Sequence, residues 1–153
     1  DLAGWEETVR INLTGPWLCS RAAARQMMPR QSGKIVTIGS ISGKRALAAR
    51  TPYTATKMAL IALTRTLALE LGPHNINVNL ISPGAVDTPR LAELAEKYNV
   101  PLEDIIKGSA AKRALNRIPR TGSIADMVEF LVTDKSDDVT GIDITVDAGG
   151  WFE

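Results

Sequence analysis

The chain has 153 residues, 44% hydrophobic and 23% charged, with 18 Lys and Arg against 17 Asp and Glu for a formal net charge of +1. That length supports one domain, residues 1–153, with a real core, and the balanced charge excludes nucleic-acid or membrane binding that rests on bulk electrostatics. No apolar run reaches the roughly 20 residues of a bilayer-spanning helix; the single Cys19 excludes an intrachain disulfide, a usage that fits the reducing cytoplasm.

Residues 5–28 place Trp5, Val9, Leu13 and Trp17 on an i+4 row, with Ile11, Leu18 and Ala22–Ala24 beside it. This wide apolar face predicts a helix buried on more than one side, with Cys19 as a small packed hydrophobe. Pro29 and Gly33 bracket the turn that ends it. Residues 34–39 read as a short apolar strand covered on both faces, as in a parallel sheet. After a loop from Ser40 to Arg50, Thr51-Pro52 supplies an N-cap and a first-turn proline for a helix to about Leu71. Gly72-Pro73 stops that helix, and His74 reads as a solvated turn residue. A strand at 75–82 follows and breaks at Pro83-Gly84.

Residues 89–120 are charged and helix-prone, interrupted by Pro89, Pro101, Gly108 and Pro119. They read as an inserted substrate lid of one or two short helices. A helix at about 124–133 and a strand at 142–146 close the chain. Strands separated by helices imply right-handed crossovers. The expected fold class is therefore α/β, a Rossmann-like doubly wound parallel sheet of about three strands with flanking helices.

The chemistry gathers around Ser40, Tyr53 and Lys57. Residues at i and i+4 share a helix face, so the Lys57 ammonium sits beside the Tyr53 phenol. An ammonium beside a phenol favours the phenolate and brings proton exchange toward neutral pH. Ser40, immediately beyond a strand, is placed to hold an oxygen that accepts or releases that proton. A lone Tyr-x-x-x-Lys pair is a weak signal. Its company sharpens it: ligands of open parallel sheets gather at the carboxyl edge of the strands, where Ser40 and Pro83-Gly84 both stand. No metal site is expected. Lys44, Arg45 and Arg50, with Lys112, Arg113, Arg117 and Arg120, either flank the cleft mouth and favour an anionic substrate or form solvated surface. Thr88, before Pro89, is placed to cap the next helix.

These residues together resemble the short-chain dehydrogenase/reductase family over nearly the whole chain. The matching pieces are Asn12 in Ile11-Asn12-Leu13-Thr14-Gly15, Ser40 in Ile38-Gly39-Ser40, and Tyr53-Thr54-Ala55-Thr56-Lys57. Asn77-Val78-Asn79, Ser82-Pro83-Gly84, Asp87-Thr88, Thr140-Gly141 and Val146-Asp147-Ala148-Gly149-Gly150 complete them. The resemblance implies an NAD(P)-dependent oxidoreductase that interconverts a secondary alcohol and a ketone. Tyr53 would donate or accept the proton, and Lys57 would support it and bond the nicotinamide ribose. Ser40 would orient the substrate oxygen, with Ser42 as a second substrate contact or a plain loop hydroxyl. Asn12 would hold a water in the relay behind Lys57, unless its amide merely bonds backbone at a helix irregularity. Pro83, Gly84, Val86 and Thr88 would line the nicotinamide of NAD or NADP. Partners would be a small alcohol or ketone and further copies of the chain, as dimer or tetramer, with no nucleic acid and no membrane.

No glycine-rich turn follows a strand here, although the family binds its dinucleotide with one. The segment before Phe130-Leu131 is about three residues short of the family's usual helix approach, and Asp147-Ala148-Gly149-Gly150 stands where Asp-Gly-Gly is commoner. The expectation is a C-terminal catalytic part, with its first strand at an open sheet edge and a weak hold on NAD(P) by itself. The alternative is a catalytically silent subunit that only associates with others through its apolar helices.

Overall fold

The alternation of strand β2 (Ile76–Pro83) sets the layers of the molecule. It is the middle strand of a three-stranded sheet, paired in parallel with β1 (Gly33–Ile38) and with β3 (Asp143–Val146). The computed structural model describes residues 1–152. Ile76 and Val78 point to one face and join Ala24, Ile35, Ala68 and Leu71, while Leu80 joins Leu60 and Ile61. Apart from Ile35 of β1, those partners come from α2 (Gly15–Met27) and α3 (Thr51–Leu71), which therefore cover that face.

The intervening residues of β2 face the other way, as a period of two requires. Asn77 donates its amide to the carbonyls of Asp137 at 2.8 Å and Val139 at 3.0 Å, and Asn79 reaches Val139 at 2.8 Å. Two asparagines in an interior strand thus tie down the segment after α6 (Thr121–Val132), whose Leu131 is fully buried. Helices on both faces of a parallel sheet make the expected α/β architecture.

α3 is terminated by a tight turn over Gly72–His74 and by Asn75 in the left-handed region, at φ 56°. Leu60 and Leu80 exclude water almost wholly, which is worth about 1.5–3 kcal/mol for each such side chain. This contact fixes where the first turns of α3 stand over the sheet. The helix begins one residue earlier than its cap was expected. Arg50 holds the N-cap position without a side-chain bond, and Thr51 is already helical. Pro52 in the first turn suffices to start it, because proline's missing N–H has no partner there anyway.

The segment read as one helix over 5–28 is three pieces: α1 (Leu2–Val9), a π turn over Arg10–Thr14, and α2. It is not buried on several sides. Trp5, Ile11, Trp17 and Leu18 are exposed, and in α2 only Ser20 and Ala24 are buried. Cys19 is exposed too, on a groove of about 350 Å³ beside β1. The physical reason is the position of β1: it is an edge strand, so α2 overhangs a flank with no further strand of the described residues beneath it.

Between β2 and α6, α4 (Pro89–Tyr98) and α5 (Leu102–Ala110) pack on each other and fill most of residues 89–120. Among the described residues no helix is long and apolar enough to cross a membrane.

Candidate active site

A cleft of about 510 Å³ opens at the carboxyl ends of β1 and β2, between the loop after β1, the start of α3, and α4–α5. Ser40, Ser42, Tyr53, Gly84, Val86 and Thr88 all line it. Lys57, Asn12 and Pro83 are not on its wall.

Ser40 leaves β1 in extended backbone and starts a short turn over Ile41–Gly43. The Ser42 N–H donates to Ser40 Oγ at 3.1 Å. That bond fixes the oxygen and leaves the hydroxyl's own proton free to be given to another oxygen. Ser42 thus acts on Ser40 through its backbone, in addition to lining the cleft. Gly43 ends the turn against the backbone of α3. A methyl group at this position would lie 2.8 Å from the Lys57 carbonyl carbon and oxygen and 3.0 Å from the Met58 nitrogen. Only glycine lets the serine loop approach the tyrosine helix this closely. Gly84 meets a similar limit at the end of β2, where a methyl would lie 2.6 Å from Asp147 Cβ.

The Lys57 ammonium lies over the Tyr53 ring, 5.6 Å from its centroid, and donates to the Ile38 carbonyl at 3.1 Å. Burial pushes its pKa below that of an ordinary lysine. An ammonium has three donors, and among the described residues this one spends a single donor on the protein. Two remain for other acceptors, which suits a ribose hydroxyl. The spacing of four residues has done what helical geometry demands, since amine and phenol share one face.

Asn12 sits on the π turn, half-exposed, and its amide has no hydrogen-bond partner among the described residues. Its neighbour Leu13 packs against Leu60, Ile61 and Leu80, which sets the π turn beside α3. π turns recur at functional sites because the extra residue widens the helix and releases a backbone group. Thr88 occupies the N-cap of α4 but makes no side-chain cap bond, so its hydroxyl stays available to the cleft. Pro83 closes the ladder against Val146 and positions Gly84 beside the cleft.

Of the basic residues named from sequence, Arg45, Arg50, Lys112 and Arg113 reach the cleft, and Arg117 and Arg120 do not. Lys44 turns away from it: its ammonium is 3.2 Å from Asp143 and 2.8 Å from Thr145 Oγ1, both on β3. The pleat explains this choice, because Asp143 and Thr145 are two apart and share the face toward that loop. Sequence reasoning missed the apolar wall made by Leu47, Leu91 and Leu94. The signal was present in Leu91, Leu94 and Ala95, an i, i+3, i+4 row on α4. The close packing of Gly43 carried no local signal at all.

Residues 1–150 match the family described as enoyl-(acyl carrier protein) reductase. The chain is 37% identical over 145 residues to the short-chain reductase protein NovJ of Streptomyces niveus, covering 95% of this chain and 55% of that one. It is 34% identical over 149 residues to cis-4-hydroxycyclohexanecarboxylate dehydrogenase of Sinomonas cyclohexanicum, covering 97% and 57%. The crystal structure of NAD+-bound xylitol dehydrogenase superposes with a TM-score of 0.89 at 28% identity, over 97% of this chain and 61% of that one. The chain therefore spans little more than half the length of the curated relatives it matches. With a match from residue 1 to residue 150 and the same parallel-sheet architecture, the chain belongs to the short-chain dehydrogenase/reductase family.

Proposed function

We propose that the protein containing this chain is an NAD(P)-dependent oxidoreductase that interconverts a secondary alcohol and a ketone, with Tyr53 as proton donor and acceptor. The observation that carries this reading is the convergence of Ser40 and Tyr53 on one cleft, with the Lys57 ammonium over the tyrosine ring. In the reducing direction Ser40 donates a hydrogen bond to the carbonyl oxygen while Tyr53 delivers its hydroxyl proton to the same oxygen. In the oxidising direction the proton returns to Tyr53. Oxygen held by two donors carries developing negative charge at lower cost.

The residues present fit the nicotinamide end of a dinucleotide. Lys57 has donors to spare, the Thr88 hydroxyl is not spent on a cap, and Gly84 and Val86 line the same wall. When bound, such a coenzyme supplies the hydride. A relative whose structure holds NAD+ supports the choice of coenzyme class. Asn12, unpartnered on its π turn next to α3, suits a water-mediated relay toward Lys57. The reading of residues 89–120 as a substrate lid is supported by Leu91, Leu94 and Ser109, which put α4 and α5 on the cleft wall. Association of several copies through the helices is supported by exposed Trp5, Trp17, Leu18, Met58 and Leu69.

Tyr53→Phe tests the reaction, measured as NAD(P)H appearance from secondary alcohols. Turnover should fall by about 10²–10⁴-fold, the usual worth of a positioned proton donor. Coenzyme binding should persist. Retention of a tenth of the wild-type rate would refute the assignment. A silent associating subunit would show no turnover before the substitution either.

A further inference from the structure

We infer that the cleft carries an anion subsite built on Arg45, so that its substrate is an alcohol or ketone bearing a carboxylate or phosphate group. The inference rests on the oxidoreductase reading of this cleft and adds the class of substrate to it.

Five cationic side chains line the cleft, Arg45, Arg50, Arg90, Lys112 and Arg113, and no Asp or Glu lines it. Such a wall is often mere solvated surface, so the partners of each charge decide its meaning. Arg90 is paired 2.6 Å from Glu93 on its own helix. Arg113 is buried and committed: its Nε donates to the Asp147 carbonyl at 3.0 Å, a second nitrogen donates to the Ser109 carbonyl, and the Asp147 carboxylate attracts it. Arg50 and Lys112 are exposed, as solvated surface charges usually are.

Arg45 is different. Its Nε is buried and has no hydrogen-bond partner, and no carboxylate of the described residues forms an ion pair with it. It also stands close enough to Arg113 for the two positive charges to oppose one another. A guanidinium donor withdrawn from water without an acceptor costs stability, and a like charge beside it adds to that cost. The Asp147 carboxylate attracts Arg113, and no ion pair of the described residues answers Arg45, so the Arg45 charge is left over in this corner. A carboxylate or phosphate completes the arrangement, because the Arg45 guanidinium still has donors to give and its charge strengthens each bond to an anionic oxygen.

The loop gives this corner a definite place. Arg45 follows Ser40 by five residues on the same short segment, so one loop holds both the reacting oxygen and the distal anion. Adjacent Lys44 is held by β3, while Arg45 lines the cleft.

The test compares three probes of similar shape on the complete protein at fixed ionic strength: cyclohexanecarboxylate, cyclohexyl phosphate and cyclohexanecarboxamide. Calorimetric titration should show one or both anions binding about tenfold or more tightly than the amide, as charge-assisted forked bonds predict. The tighter anion identifies the group the subsite takes. In Arg45→Gln the anion-to-amide ratio should fall to within about threefold, and Arg45→Lys should keep part of it. Because Arg45→Gln removes a buried unpaired Nε donor and a positive charge that opposes Arg113, its melting temperature should match or exceed that of the wild type. A wild-type ratio near unity, or a ratio unchanged in Arg45→Gln, overturns the inference. Turnover of cyclohexanol alongside a flat ratio would sink the subsite and leave the reaction standing. Anion preference without oxidation of any alcohol would sink the reaction and leave the subsite standing.

Discussion

Gly43→Ala is the sharpest test of how the site is assembled. Its new methyl would sit 2.8 Å from the Lys57 carbonyl carbon and oxygen, whereas ordinary contacts begin near 3.4 Å. The obstacle is helix backbone, which cannot swing aside like a flexible side chain. The loop must therefore retreat by roughly 0.6 Å, and overpacking of this kind costs about 1–3 kcal/mol. The retreat is transmitted directly, since Gly43 N–H donates to the Ser40 carbonyl at 2.9 Å and Ser42 N–H holds Ser40 Oγ. Misplacing a reacting group by an ångström can cost about a hundredfold in rate, so a loss of about ten- to a hundredfold in kcat is expected here. Denaturant melts and steady-state rates should show both effects together. Gly108→Ala is the control. Nothing lies within 4 Å of a methyl there, and in the last turn of α5 the change should be neutral or stabilise by up to about 0.5–1 kcal/mol. A Gly43→Ala protein with wild-type stability and wild-type kcat would refute the reasoning.

Two further predictions concern lysines. Burial holds the Lys57 pKa below that of an ordinary lysine, so a reaction that needs its cation should lose rate on the alkaline side earlier than a solvated lysine would dictate. Lys57→Arg stays charged and should move that limb of the pH–rate profile upward; a limb that stays in place contradicts the role. The sign for stability is separate. The folded chain holds this proton less tightly than the unfolded one, so the contribution of Lys57 to stability rises with pH between the folded and unfolded pKa values. The second lysine is Lys44, whose pairing with Asp143 is buried. Lys44→Met should cost about 3–5 kcal/mol by stranding the carboxylate, and Lys44→Met with Asp143→Leu should recover most of it. Equal melts for the single and double variants would show the pair to be unimportant.

Much of the fold was legible because its signals are local. Short apolar runs bounded by Gly and Pro marked the strands, Gly72-Pro73 marked the end of α3, and strand–helix alternation implied the parallel sheet. The serine, tyrosine and lysine were legible for a related reason: helix spacing alone puts Tyr53 and Lys57 together, and a strand end puts Ser40 on the same edge. What stayed hidden was set by neighbours distant in sequence. The π turn at Asn12 has no residue signature of its own. The exposure of Trp17 and Cys19 follows from β1 being an edge, whereas an apolar stripe says only that a surface wants cover. Lys44 and Arg45 read alike in sequence, yet β3, a hundred residues later, claims one and leaves the other to the cleft.

That last division shows how the short segment after β1 couples stability to specificity. Four of its residues are divided among three structures. Ser40 faces the cleft, Gly43 presses on the backbone of α3, Lys44 is anchored to Asp143 and Thr145, and Arg45 returns to the cleft. Anchoring on both α3 and β3 leaves the loop little freedom to slide. The spacing between the oxygen-holding hydroxyl and the guanidinium is then fixed by backbone rather than by the side chains that meet the ligand. Fixed spacing turns two ordinary contacts into a ruler. For the substrate proposed above, an anion at the right distance from the carbinol carbon would engage both ends without reordering the loop, and one at the wrong distance would give up an end. Pre-organisation of this kind raises discrimination because little ordering entropy remains to be lost on binding.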